Sequence, residues 1–178
     1  MWVMTNSTGP YKNIEGYQFI STHRINRLAG GVGFCITKGV NFHVNADLSV
    51  MNEGVFESLF LEITINNKRT YIGVIYRAPT DVRYNEVEAA HATFIQTLRN
   101  VLQKTTRFGR QCIIMGDFNY DTLDLANNHV NDYKDLLYEH SFYSLINRPT
   151  RITDNSATCI DHMWTKIYQN VYKKFYLM

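Results

Sequence analysis

The run from Ile113 to Asp121, Ile-Ile-Met-Gly-Asp-Phe-Asn-Tyr-Asp, constrains this chain more than any other segment. It reads as a short buried strand cut off at Gly116, with a carboxylate and a carboxamide two residues apart at its tip. Side chains two apart on an extended segment point to one side. Asp117 and Asn119 can therefore converge on one small target: a metal ion, a water or a phosphate. The same residues also fit a strand followed by an Asx-type turn, which Gly, Asp and Asn favour for purely local reasons.

The flanking sequence supplies the rest of an α/β pattern. Tyr17 to Thr22 and Gly31 to Thr37 read as strands, with Gly30-Gly31 and Gly33 marking a close backbone approach or a bulge. Leu59, Leu61, Ile63 and Ile65 alternate with Phe60, Glu62 and Thr64, the period-two signature of a half-buried strand. Asn66-Asn67 makes a tight turn, and Thr70 to Tyr76 returns as the hairpin partner. Pro79 ends that strand, because it cannot donate to a ladder and forces Ala78 into an extended form. Asn85 to Gln103 is the clearest helix: Val87, Ala90, Phe94, Leu98 and Val101 make one apolar stripe, and Asn85 with Glu88 resembles a capping box. Gln111 to Met115 is the next strand and Tyr133 to His140 a shorter helix. Ser144 to Asn147 and Cys159 to Thr165 are weaker strand candidates. Strands fill the first half and helices enter between strands later, which points to an α/β sandwich rather than an all-β barrel.

At 178 residues the chain is long enough to bury the core of one domain. A composition of 45% hydrophobic and 19% charged residues is that of a soluble globular protein. The net charge of +2 does not by itself argue for nucleic acid. Its distribution says more. Asp117, Asp121, Asp124, Asp132, Asp135 and Glu139 face only Lys134 between residues 116 and 140. Arg148, Arg151, Lys166, Lys173 and Lys174 outnumber Asp154 and Asp161 beyond residue 148. An acidic cluster beside a basic one suits a cation plus a phosphate, and equally suits two solvated surfaces. The three cysteines, Cys35, Cys112 and Cys159, include no CxxC pair. Cys35 and Cys112 lie in apolar runs, as buried thiols do, which favours a reducing compartment over a disulfide framework. No apolar run approaches the ~20 residues of a membrane span, and Met1 is followed by neither a secretory nor a transit segment. These features point to an intracellular protein, nuclear or cytoplasmic.

Three further places can carry chemistry, each at the end of a strand or in the loop after it, where α/β folds place ligands. Tyr76 can donate its hydroxyl to a phosphoryl oxygen and Arg77 can pair with a phosphate in a fork; a core aromatic beside a surface cation reads the same way. Arg148-Pro149-Thr150-Arg151-Ile152-Thr153 can grip a nucleic-acid backbone, or be an ordinary polar loop. In Ser156-Ala157-Thr158-Cys159-Ile160-Asp161-His162, a buried Asp161 can orient a histidine, with His162 the weaker member of the run.

Taken in order, Gly30-Gly31-Val32-Gly33, Tyr76-Arg77-Ala78-Pro79, Gly116-Asp117-Phe118-Asn119, Pro149-Thr150-Arg151 and Ser156 to His162 resemble the endonuclease/exonuclease/phosphatase superfamily. Within it the chain is most similar to the apurinic-endonuclease-like domain of non-LTR (LINE-type, jockey-like) retrotransposons. The likeness runs from about Tyr17 to Thr165. It implies a four-layer, DNase-like α/β sandwich that hydrolyses phosphodiesters and nicks DNA with a divalent metal, usually Mg2+. DNA, through its phosphate backbone, is then the partner. By the same resemblance Tyr76 contacts the scissile phosphate, Asp117 activates or positions the attacking water, and Asn119 steadies a phosphoryl oxygen. Thr150, or Thr153, lies near the target strand with Arg77 and Arg151, and Asp161 orients a catalytic histidine that is not His162.

The family also uses an asparagine on its first strand, a metal-binding glutamate on the next and a C-terminal Ser-Asp-His run. None is found in this sequence. Met1-Trp2-Val3 looks like the tail of the glutamate segment, which places the metal ligand before Met1, and Tyr168 to Phe175 precedes the point where Ser-Asp-His is expected. Glu57 opens a later strand and is no substitute. The expectation is one domain over residues 1–178, truncated at both ends and catalytically incomplete. The alternatives are a non-catalytic remnant that binds nucleic acid through Arg77, Arg148 and Arg151, or another phosphoesterase of the superfamily acting on a lipid or inositol phosphate.

Overall fold

The computed structural model describes residues 14–26, 30–79 and 87–166. Its centre is a seven-stranded sheet in the order β3-β5-β6-β7-β11-β8, with β4 also paired to β5. The strands are β3 (Phe42–Val44), β4 (Met51–Asn52), β5 (Phe56–Ile65), β6 (Lys68–Tyr76), β7 (Gln111–Asp117), β8 (Tyr143–Ser144) and β11 (Asp161–Lys166). β5 and β6 form an antiparallel hairpin. Its turn is Asn66-Asn67 with φ of 49° and 59°, the doubly positive pair that a two-residue I′ turn requires and that Asn tolerates. Between β6 and β7 the chain crosses through helix α1 (Val87–Arg107), and β7 lies parallel to β6.

The strand period of two sorts side chains onto two faces. Phe56, Phe60, Tyr71, Ile75, Cys112, Ile114 and Trp164 pack in one buried cluster with Phe94, Leu98, Val101 and Leu102 of α1 and with Val130, Tyr133, Leu136 and Leu137 of α2 (Asn128–Glu139). Leu59, Val74 and Tyr76 face the other way, against Ile20, Val32 and Phe34 of the separate hairpin β1 (Tyr17–Thr22) and β2 (Val32–Thr37). Helices, main sheet and second sheet are thus successive layers of the expected α/β sandwich. No helix among the described residues is long and apolar enough to cross a membrane.

Several local expectations are corrected. The first six residues of β5 are buried without interruption, because both faces of this central strand are covered; only its far end opens progressively to solvent. Cys35 is exposed, whereas Cys112 and Cys159 are buried. α2 begins five residues early, where the Asn127 side chain caps it by accepting from the His129 N–H at 3.0 Å. β8 starts at Tyr143, one residue early, and stops at Ser144. β9 (Arg151–Thr153) and β10 (Ser156–Thr158) form an exposed hairpin where a polar loop was read. The proposed Asn85 cap and the segments 1–3 and 168–175 lie outside the described residues.

The aromatic layer between sheet and helices also holds histidines. His91 Nδ1 lies 2.7 Å from the Tyr120 hydroxyl, and His162 is held between the Tyr133 hydroxyl and the Cys159 carbonyl, each at 3.0 Å. Burial pulls the pKa values of His91, His140 and His162 below the ordinary 6.5. Folding therefore favours the neutral rings. Their contribution is fully present above pH 6.5 and is lost as pH falls through the lower folded-state values. Urea midpoints measured from pH 7.5 down to 5 are expected to stay level above about 6.5 and then fall. A profile flat through that acid range would contradict the burial account.

Candidate active site

Four side chains line up across four neighbouring strands. Glu57 of β5 is the register partner of Tyr76 on β6. The parallel pairing of β6 with β7 reaches Val74 opposite Met115, so Tyr76 and Asp117, two residues further along each strand, stand side by side. Asp117 in turn pairs with Asp161 at the start of β11. All four belong to the face opposite the helices, at the end where β6 and β7 stop. There a small cleft is lined by Gly30, Gly31, Val32, Tyr76, Gly116 and Asp117.

Gly116 makes this closeness possible. Its φ is +144°, and a Cβ there would lie 1.9 Å from the Ile75 carbonyl oxygen. Past it, the chain does not continue as a strand. Asn119 has φ +48°, so its side chain is not carried to the Asp117 side by strand alternation. Instead, Asp117 Oδ1 accepts from the Asn119 backbone N–H at 3.1 Å, an Asx turn, and Asn119 Nδ2 donates to the Arg77 carbonyl at 2.6 Å. The turn and the site are the same piece of backbone. Asp117 Oδ2 has no hydrogen-bond partner among the described residues. Burial raises the Asp117 pKa; the Asn119 N–H opposes this and the facing Asp161 adds to it.

Arg77 is placed differently from either reading of the sequence. It is 6% exposed, with its guanidinium 4.0 Å from the Tyr120 ring centroid and donating to the Asn119 carbonyl at 3.2 Å. The strand alternation that faces Tyr76 to the cleft turns Arg77 toward the helices. It clamps the loop after β7 rather than offering a phosphate fork or a surface cation. Asp161, expected to be buried, is exposed, and because His162 follows it directly on a strand the two point to opposite faces. His162 is a core residue, 2% exposed and stacked on Phe118 at 5.2 Å. Thr150 Oγ1 accepts from the backbone N–H groups of Ile160 and Asp161, both at 3.1 Å, and so fixes where β11 begins. Arg151 opens the exposed hairpin, close enough to lower the Asp117 pKa.

Sequence reading missed one pair. Glu57 is fully buried. Its Oε1 accepts from Arg24 Nε at 2.5 Å and from the Gly54 N–H at 3.1 Å, while Oε2 accepts from the Gly31 N–H at 2.7 Å. A charged residue at the start of a strand rich in Leu, Phe and Ile was the available signal, since a buried carboxylate demands a partner. The Mg2+ that the resemblance implies needs several converging oxygen ligands. Among the described residues no group of three His, Cys, Asp or Glu side chains assembles one, and Glu57 is committed to Arg24. The described residues do not fit that ion.

The sequence profile of the Endonuclease/Exonuclease/phosphatase family matches residues 12–167. No curated protein matches the chain. Among solved structures, the endonuclease domain of TRAS1, a telomere-specific non-LTR retrotransposon, aligns with a TM-score of 0.63 at 12% identity, over 86% of this chain and 67% of that one. The Xenopus laevis APE2 catalytic domain aligns with a TM-score of 0.60 at 16% identity, over 86% and 67%. The AP endonuclease LMAP from Leishmania major gives 0.61 at 12%, over 85% and 62%. At such identities the likeness is one of fold, and this chain spans about two thirds of each of these neighbours.

Proposed function

Because the chain belongs to the endonuclease/exonuclease/phosphatase family, we propose that its cleft binds and hydrolyses a backbone phosphodiester of DNA, as a nicking domain of the retrotransposon endonuclease type. The observation that carries this is the row Tyr76, Asp117, Asp161 at one strand end, beside a cleft. Hydrolysis forms a bond from a water oxygen to phosphorus and breaks the bond from phosphorus to one sugar oxygen, which leaves as a hydroxyl by taking a proton from solvent. Asp117, through its free Oδ2, accepts the water proton. The Tyr76 hydroxyl donates to a non-bridging oxygen as charge builds there. Asp161 faces Asp117 across the register, and Thr150 sets Asp161 in place.

A supercoiled plasmid incubated with the protein and Mg2+ tests this, with open circles as the expected product. Plasmid that stays supercoiled would defeat the hydrolytic reading. A second reading, binding without cleavage, is favoured by one observation: the Asn119 carboxamide nitrogen is spent on the Arg77 carbonyl rather than directed to the cleft. Both readings make Arg148 and Arg151 phosphate contacts on the exposed edge. Replacing both by alanine is expected to weaken binding to duplex DNA irrespective of sequence and to lower the slope of log K against log salt by about two. Fluorescence anisotropy with a labelled duplex between low and moderate salt measures that slope; an unchanged slope would remove these arginines from the interface.

A further inference from the structure

The proposed chemistry uses Tyr76, Asp117 and Asp161 but leaves a charged pair behind them unexplained. Arg24 is 8% exposed and Glu57 fully buried. Two charges taken out of water cost more than their attraction usually returns, so such a pair is a weak device for stability alone. Its surroundings are built around it. Gly30 and Gly31 have φ of +121° and +103°. A Cβ on Gly30 would lie 2.2 Å from Arg24 Nε, so the guanidinium rests directly on glycine backbone. Glu57 receives Arg24, Gly31 and Gly54, which uses both of its oxygens. Arg24 lies over the Tyr76 ring, 5.9 Å from its centroid, and its positive charge pulls the Tyr76 pKa down against the effect of burial. Tyr76 and Glu57 are direct cross-strand partners.

We infer that Arg24 and Glu57 are positioning residues: the buried pair fixes the Tyr76 hydroxyl and the Gly30-Gly31 backbone as the rigid wall of the cleft against which a phosphate is held. This rests on the reading of the cleft as a phosphodiester site. Glu57 aims the Arg24 guanidinium, and Arg24 aims the phenol. The Tyr76 hydroxyl, buried beside Asp117, would otherwise rotate freely between that carboxylate and the open cleft. Arg24 supplies only donors, so beside it the phenol oxygen can act only as an acceptor, and a donation from the phenol must go to another acceptor, across the cleft. A phosphoryl oxygen is such an acceptor.

The test reads Tyr76 directly and needs no turnover, so its failure and the failure of the hydrolytic reading are distinguishable. The full chain is labelled with 3-fluorotyrosine, whose phenol is more acidic than that of tyrosine, and titrated by 19F NMR. Tyr76→Phe assigns the resonance. Burial and Asp117 raise the Tyr76 pKa, while Arg24 lowers it. Arg24→Gln is therefore expected to move the Tyr76 midpoint upward by about one unit. Loss of the Arg24 charge contributes to that rise whatever the role of the pair, so a variant that keeps a cation beside Glu57 separates aiming of the phenol from charge alone. Arg24→Lys keeps Glu57 paired but is too short to serve the phenol as well, and decides the matter if the glutamine variant does not fold. An upward shift of a few tenths of a unit is then expected. A midpoint that is unchanged or lower in the folded variant overturns the inference.

Discussion

Replacing Asp117 by alanine is expected to reduce plasmid nicking by about 100-fold or more, the range over which a positioned general base contributes, while leaving duplex binding intact. Asp117→Asn keeps the shape and keeps an oxygen for the Asn119 N–H, yet it cannot take a proton, so the same loss is expected. The two variants differ in stability. Burial holds the Asp117 pKa above its ordinary 3.8, so the folded chain prefers the neutral carboxyl. Ionisation then works against folding as pH rises past the unfolded value, and the cost is complete above the folded one. Asp117→Asn removes that cost. Its urea midpoint should exceed that of the wild type at pH 7 and match it in acid. For the same reason the acid limb of the nicking profile should lie above 3.8 and move higher still in Arg151→Ala, which loses a cation that favours the carboxylate. An Asp117→Asn variant that still nicks, or that is weaker at pH 7, would refute the assignment.

Gly116→Ala should lose about 3 to 5 kcal/mol of stability. Left-handed or otherwise strained backbone costs about 1 to 3 kcal/mol for a residue with a Cβ, and overpacking against neighbours that cannot yield adds a similar amount. Here the neighbour is the Ile75 carbonyl of the adjacent strand, at 1.9 Å from the added Cβ, and Ile75 is held in register with Ser58 by the β5–β6 ladder, so it cannot easily step aside. Gly109 is the control. Its φ is +61° but nothing lies within 4 Å of its Cβ position, so alanine there should cost only about 1 kcal/mol. Equal losses at both positions in chemical denaturation would show that Gly116 is conserving conformational freedom and not strand proximity.

Where a segment's own chemistry decided its structure, the sequence was legible. The Asn66-Asn67 turn, the end of β6 before Pro79 and the strand from Gln111 to Met115, which the structure extends through Gly116 to Asp117, all follow from local rules. The candidate residues Tyr76, Asp117 and Asp161 are each conspicuous in the sequence, and their adjacency follows from the strand register. What could not be read was burial set by distant partners. β5 alternates in type but is covered on both faces, because β1 and β2 arrive from the opposite side to the helices. Arg77 and Asp161 were assigned the wrong exposure, since one residue's difference in strand phase exchanges core for surface. Arg24 meets Glu57 across 33 positions of chain, and no local pattern announces such a partner. Cys35 sits in an apolar run, yet its face of the small second sheet is left to solvent.

The row from Glu57 to Asp161 also dictates when a site can exist during folding. Glu57 and Tyr76 meet through a two-residue turn, so their pairing is local and closes fast. Tyr76 reaches Asp117, and Asp117 reaches Asp161, only across separations of roughly forty residues each, where loop closure costs more entropy and is slower. Hairpin β5–β6 can form early with half of the wall in place. The carboxylates join it only when the parallel crossover and then β11 have docked. A chain stalled before that last pairing would carry helices, a hairpin and much of its native spectrum, but not the assembled row.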